Sequence, residues 1–104
     1  ASLLADLADA HVMLGHAGKA GDLSARALKL APGDGDVLHT SAEVDEALGR
    51  REVALEKIGR AVAAGYPRWQ VERSPSLAAL RQDPRYEAVL KRVGPTPVEK
   101  EDRP

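Results

Sequence analysis

The chain matches itself at an offset of 34 residues, and this self-similarity constrains its fold more than any other feature. At that offset Leu4 meets Leu38, Ala8 meets Ala42, Leu14 meets Leu48 and Gly15 meets Gly49. Further on, Ala20 meets Ala54, Arg26 meets Arg60 and Ala27 meets Ala61. A unit of this length holds two helices and a turn, and such units bury their apolar faces by stacking. First helices are expected over about 2–14 and 36–48, with Leu4, Leu7, Ala8 and His11 on one face, then Leu38, Ser41, Ala42 and Asp45. Gly15 and Gly49 stand where each helix ends and the chain reverses. Return helices are expected over about 18–31 and 51–64, with Ala20, Ala27, Ala54 and Ala61 allowing close approach of the axes. Pro32-Gly33 and Gly65-Tyr66-Pro67 end the two units.

The residues available for a core agree with packed helices. Apolar residues make up 43% of the chain, but there is no Phe, one Trp and two Tyr, so packing relies on close backbones more than on bulky side chains. Lys and Arg number 15 against 16 Asp and Glu, which gives no bulk attraction to nucleic acid or an anionic membrane. The absence of cysteine removes disulfides, thiolate chemistry and zinc-finger spacing. Apolar runs fall far short of the roughly 20 residues that span a bilayer, and the N-terminus lacks the basic start of a signal peptide. The expectation is a soluble, cytoplasmic protein, and a start on a helix at Ala1 reads as a piece of a longer one.

After Pro67 the repeat degenerates into a capping region. Ser74-Pro75 and Asp83-Pro84 each place an N-cap residue before a proline, so two short helices are expected there. Tyr86, Val89, Leu90 and Val93 form an apolar stripe that can close the end of the stack. Gly94 to Pro104, with three prolines and alternating charges, is expected to be a disordered tail.

Leu7, Ala8, Gly15, Ala20, Ala27 and Pro32 carry a resemblance to the tetratricopeptide repeat family. The aromatic positions of that pattern hold Leu4, His11 and Ser24 here, and Gly21 weakens a helix by roughly 1 kcal/mol, so the first repeat should be the looser one. The resemblance implies an all-α, right-handed solenoid, with repeats at 1–34 and 35–67, capping helices at 68–93 and the tail at 94–104. The run from Ala61 to Tyr86 resembles the segment that finishes such arrays in bacterial signalling proteins, implying parents such as Ser/Thr kinases, nucleotide cyclases and winged-helix regulators. It also implies a concave groove lined by first helices, here Ser2, Ala5, Asp6, Asp9, Val12 and Met13, then Asp36, His39, Thr40, Glu43, Glu46 and Ala47.

Asp6, Asp9, Met13, Asp36, His39, Glu43 and Glu46 are the candidate partner-binding residues of that groove. Five carboxylates on a face with no Lys or Arg favour a basic or cationic peptide of a protein partner. The Lys and Asn clamp of chaperone-tail receptors is missing, its positions holding Ala5, Asp9 and Thr40. The alternative is a structural end-cap of a longer array, or homo-oligomerisation through the N-terminal side, where Leu3, Leu4 and Leu7 lack neighbours.

Catalytic and metal chemistry finds no support in the residues. His11 and His16 are expected on different sides of the first helix and its turn, and His39 is on the next unit, so no metal spacing arises. His11 reads as a half-buried structural residue. Asp34-Gly35-Asp36 resembles the start of a calcium loop without the remaining ligands, which favours a turn and helix cap. No serine has a His and an acid in a nucleophile setting, and Gly15, Gly18 and Gly21 straddle a helical hairpin instead of a phosphate loop. Arg50, Arg51, Arg60 and Arg68 read as a solvated outer face, and Trp69 as cover for the junction between the second repeat and the cap, with an exposed hot-spot anchor as the alternative. The expected function is therefore interaction, with no enzyme activity, cofactor, metal, nucleic acid or membrane.

Overall fold

Gly15 and Gly49 adopt φ of 79° and 80°, a left-handed turn that ends one helix and starts its return. In the computed structural model, which describes residues 2–93, α1 (Ser2–Met13) thereby folds back on α2 (Ala17–Leu30) and α3 (Gly35–Ala47) on α4 (Arg51–Ala63). Every regular element among the described residues is a helix, and none is long and apolar enough to cross a membrane. The two hairpins recur at close to the sequence offset. Ala8 and Ala20 in the first, Ala42 and Ala54 in the second, are fully buried, as are Ala27 and Ala61. Small side chains at these crossings let the helices approach, and larger ones would overpack them by roughly 1 to 3 kcal/mol.

Asp34 caps α3, its Oδ1 accepting from the N–H groups of Asp36 at 2.9 Å and Val37 at 3.2 Å, which confirms the turn-and-cap reading of that segment. Helix α3 packs against α1, α2, α4 and the turn of 3-10 helix at Pro75–Leu77. Residues Val37 through Asp45 are consequently all buried, including His39, Thr40, Ser41, Glu43 and Asp45. A helix buried along most of its length must find partners for most of its polar groups inside the fold. This requirement shapes the site described below.

The cap holds one more helix than the sequence predicts. Before the 3-10 turn comes α5 (Arg68–Arg73), and after it α6 (Ala78–Arg81) and α7 (Arg85–Val93). Asp83 caps α7 by accepting from Arg85 N–H at 2.9 Å, whereas Ser74 makes no capping bond because its hydroxyl is used elsewhere. Leu77, Leu80, Tyr86, Val89 and Leu90 from the cap join Leu55, Ile58 and Val62 of α4 in the main core. The first hairpin meets α3 through two smaller clusters, around Ala5, Ala27 and Val37 and around Ala8, Ala20 and Val44. The expected tail, 94–104, lies outside the described residues.

Gly21 lies inside α2, and a Cβ placed on it would sit 3.5 Å from Leu48 Cδ1, an ordinary contact. Gly21→Ala is expected to raise the unfolding free energy by about 1 kcal/mol through helix propensity alone. Urea denaturation reads this directly, and a destabilised variant would refute it.

Candidate functional site

A cleft of about 410 Å³ opens where α1, α3 and the α5 region meet. Helix α1 contributes Asp6 and Asp9, and α3 contributes Asp36, His39, Thr40 and Glu43. Five of the seven candidate residues thus converge on one site. Met13, at the far end of α1, is 75% exposed and does not line the cleft. Glu46 is also diverted: Arg51 donates to it through Nε at 2.7 Å and Nη2 at 2.6 Å, a two-pronged tie across the Gly49 turn.

The opposite wall comes from residues that the groove pattern does not include. Tyr66, Trp69, Gln70, Arg73 and Ser74 line the cleft's other side, so the expected face free of Lys and Arg is a shallow, open cleft with one arginine beside it. Gly35 permits the approach of Tyr66, since a Cβ there would stand 3.1 Å from Tyr66 Cβ and 3.2 Å from Ala61 O. With the backbones that close, Tyr66 stacks on His39, ring centroids 4.5 Å apart and planes 20° from parallel. The Tyr66 hydroxyl donates to Gln70 Oε1 at 3.1 Å.

Glu43 is the structural centre of the site. Its Oε2 accepts from Ser74 Oγ at 2.7 Å and Ser76 Oγ at 2.6 Å, and its Oε1 lies 3.5 Å from His39 Nδ1. The carboxylate therefore clamps the cap onto α3 and is not free to meet a ligand with that oxygen. Arg81 holds the clamped turn from behind, donating from Nη1 to the carbonyls of Val71 at 2.9 Å and Ser74 at 2.6 Å. Ser74 was legible only as a cap residue, and nothing singled out Ser76, because their partner lies some thirty positions upstream.

The field in the cleft is negative. Burial, then the Glu43 charge beside it, pushes the Asp9 carboxyl from its ordinary 3.8 to about 6. Tyr66 is pushed up to about 12 by burial and by the charges of Asp36, Glu43 and Asp9. Burial lowers His39, with Asp36 and Asp9 opposing it. The imidazole Nε2 is buried with no hydrogen-bond partner.

Three further expectations are corrected. Trp69 does not cover the junction but is 57% exposed at the cleft, because Val71 takes the buried face of α5 and a residue two positions away points elsewhere. His11 and His16 do not diverge: the turn brings their Nδ1 atoms to 3.2 Å. Arg51 and Arg68 are not simply solvated, Arg51 reaching Asp83 at 3.2 Å as well as Glu46, and Arg68 reaching Glu72 at 3.3 Å and Glu87 at 3.4 Å.

Among the described residues no three His, Cys, Asp or Glu side chains are grouped to hold a metal ion. What the cleft offers is acceptors, aromatic surface and negative potential. Comparisons with family models, curated proteins and solved structures find no match to this chain.

Proposed function

We propose that the chain is a non-catalytic protein-interaction module of the tetratricopeptide type, and that its cleft binds a basic segment of a partner protein. Support for the repeat architecture comes from the two hairpins with matching turn glycines and matching buried alanines at one offset. The observation that carries the binding reading is the convergence of Asp6, Asp9, Asp36 and Glu43 on one cleft that holds a single cation, Arg73. Such a field raises the encounter rate with a cationic segment and repels acidic ones.

Asp6 and Asp36 are exposed, so reversing them leaves the internal clamp intact. Asp6→Lys with Asp36→Lys is expected to weaken binding of a lysine- and arginine-rich peptide by tenfold or more at low salt, and added salt should weaken the wild type. Calorimetric titration measures both. Unchanged affinity in the double variant would remove the reading.

A second reading, end-to-end association, is favoured by Leu3, Leu14 and Leu30, which are 71%, 67% and 67% exposed, with Leu7 at 43%. Val37, one repeat offset after Leu3, is 2% exposed because it packs on the preceding hairpin. Light scattering across a concentration series tests it: a constant monomer mass excludes self-association through this face.

A further inference from the structure

The geometry of the turn between α1 and α2 points to a metal site: His11 and His16 chelate a late first-row divalent ion through their Nδ1 atoms, Cu2+ ahead of Ni2+ and Zn2+. The site shares no residue with the acidic cleft, and it stands or falls independently of the peptide-binding reading.

The backbone explains why two residues five positions apart meet. With Gly15 at φ 79°, the N–H of His16 reaches back to the His11 carbonyl at 2.7 Å, and the N–H of Gly15 reaches that of Val12 at 3.1 Å. This pair of bonds is a common left-handed glycine ending of a helix, and it sets the side chains of the two bridged residues against each other, a contact often made by apolar groups. The same ending recurs after α3, where the Arg50 N–H bonds the Asp45 carbonyl at 2.8 Å and the two side chains form an ion pair at 3.6 Å. It recurs after α4 with Ala61 and Tyr66, whose backbone bond is 2.9 Å. The fold builds the same two-residue contact at each of these helix ends, and the first of them holds two imidazoles.

Their spacing is that of a chelate. The Nδ1 atoms stand 3.2 Å apart, with ring centroids 5.4 Å apart and planes 36° from parallel. Two metal–nitrogen bonds of about 2.1 Å meeting at about 100° place their nitrogens about 3.2 Å apart. The rings must turn toward a common point, but they need not separate. Between neutral rings, one Nδ1 donates its proton to the lone pair of the other. Chelation moves that proton to Nε2 of the same ring, an exchange of tautomers that frees both Nδ1 lone pairs and leaves the ligands uncharged. His16 is exposed and makes no capping bond to α2, and His11 is half-buried, so solvent reaches the pair. Among the described residues no third His, Cys, Asp or Glu joins them, and water fills the remaining positions on the ion. An open site made only of imidazoles follows the general order of divalent affinities, in which Cu2+ stands highest.

The test titrates the full chain with Cu2+, Ni2+ and Zn2+ in a non-coordinating buffer, by calorimetry and, for Cu2+, by electron paramagnetic resonance. Cu2+ should bind with nitrogen hyperfine couplings in its spectrum, and about tenfold or more tightly than Zn2+. His11→Gln and His16→Gln should each weaken Cu2+ binding by about tenfold or more, with helical circular dichroism retained. The double variant should be little weaker than either, because one imidazole alone has no chelate to lose. Unchanged affinity in both single variants would place the ion elsewhere and overturn the site. Loss in only one of them would overturn the chelate, as would a double variant in which two full losses add. Zn2+ binding as tightly as Cu2+ would overturn the assignment to an open pair of imidazoles.

Discussion

Replacing Glu43 by alanine is expected to lower the unfolding free energy by about 2 to 3 kcal/mol, a large fraction of what a chain of this size possesses. The buried carboxylate accepts two serine hydroxyls, at 2.7 Å and 2.6 Å, and faces His39. Its removal strands those groups where water enters poorly. The complementary variant, Ser74→Ala with Ser76→Ala, leaves the carboxylate buried without its donors and should lose a similar amount. Because both sets of changes break the same contacts, their combination should fall short of the sum by about 1 kcal/mol or more in a double-mutant cycle. Strict additivity under urea denaturation would refute the clamp.

The same variant should flatten a pH dependence. Asp9 is raised from 3.8 to about 6, so the folded state holds its proton more tightly than the unfolded chain does. That contribution is complete below about pH 4 and is lost as pH rises through about 6. A shift of this size corresponds to roughly 3 kcal/mol in full, which solvent screening of the half-exposed side chain reduces to about 1. His39 acts with the opposite sign: its folded value is lowered by burial, so its contribution is present above 6.5 and lost as pH falls through the folded value. Glu43→Ala removes one cause of the Asp9 shift, and the loss of stability between pH 4 and 6 should shrink accordingly.

Lys57→Ala should cost about 2 to 3 kcal/mol for a related reason. Lys57 Nζ lies 2.6 Å from Asp45 Oδ2 and 2.7 Å from Ser41 Oγ, tying α4 to two polar residues buried within α3. The Asp45 side chain is only 6% exposed, and its other cation, Arg50 at 3.6 Å, is 62% exposed. Truncating Lys57 therefore leaves a buried carboxylate with one distant, solvated partner. Removing both charges, as Lys57→Met with Asp45→Leu, should recover most of the loss, since an apolar pair of similar volume avoids desolvation. A loss below about 0.5 kcal/mol for Lys57→Ala would show that Asp45 is already satisfied without it.

How far the sequence reaches can be judged from particular residues. The four long helices and both glycine turns follow from short-range signals: periodic apolar positions, small residues at the crossings, and glycine where φ must be positive. Asp6, Asp9, Asp36, His39 and Glu43 converge because they share one face on two helices related by a constant offset. Glu46 and Met13 share the same periodicity and still leave the site, Glu46 because Arg51 meets it across a turn and Met13 because its position lies beyond the cleft. Periodicity reports which way a side chain leaves its helix, not what waits there. Trp69 illustrates the complementary limit, since the burial habits of tryptophan are an average over folds, and the one face of α5 that could have buried it was occupied by Val71.

By itself, the sequence determined the helical class, the hairpin turns and an excess of carboxylate on the first helices, all of which depend on residues within one or two turns of each other. Tertiary structure alone decided that α3 is buried from Val37 through Asp45, that Glu43 serves the fold as a clamp, and that Tyr66, Trp69 and Arg73 stand along one side of the acidic face. Those outcomes depend on which chain segment, some thirty residues away, fills the space beside each polar group. A buried carboxylate and an exposed one look identical in sequence, and their difference is set by the neighbour that excludes the water.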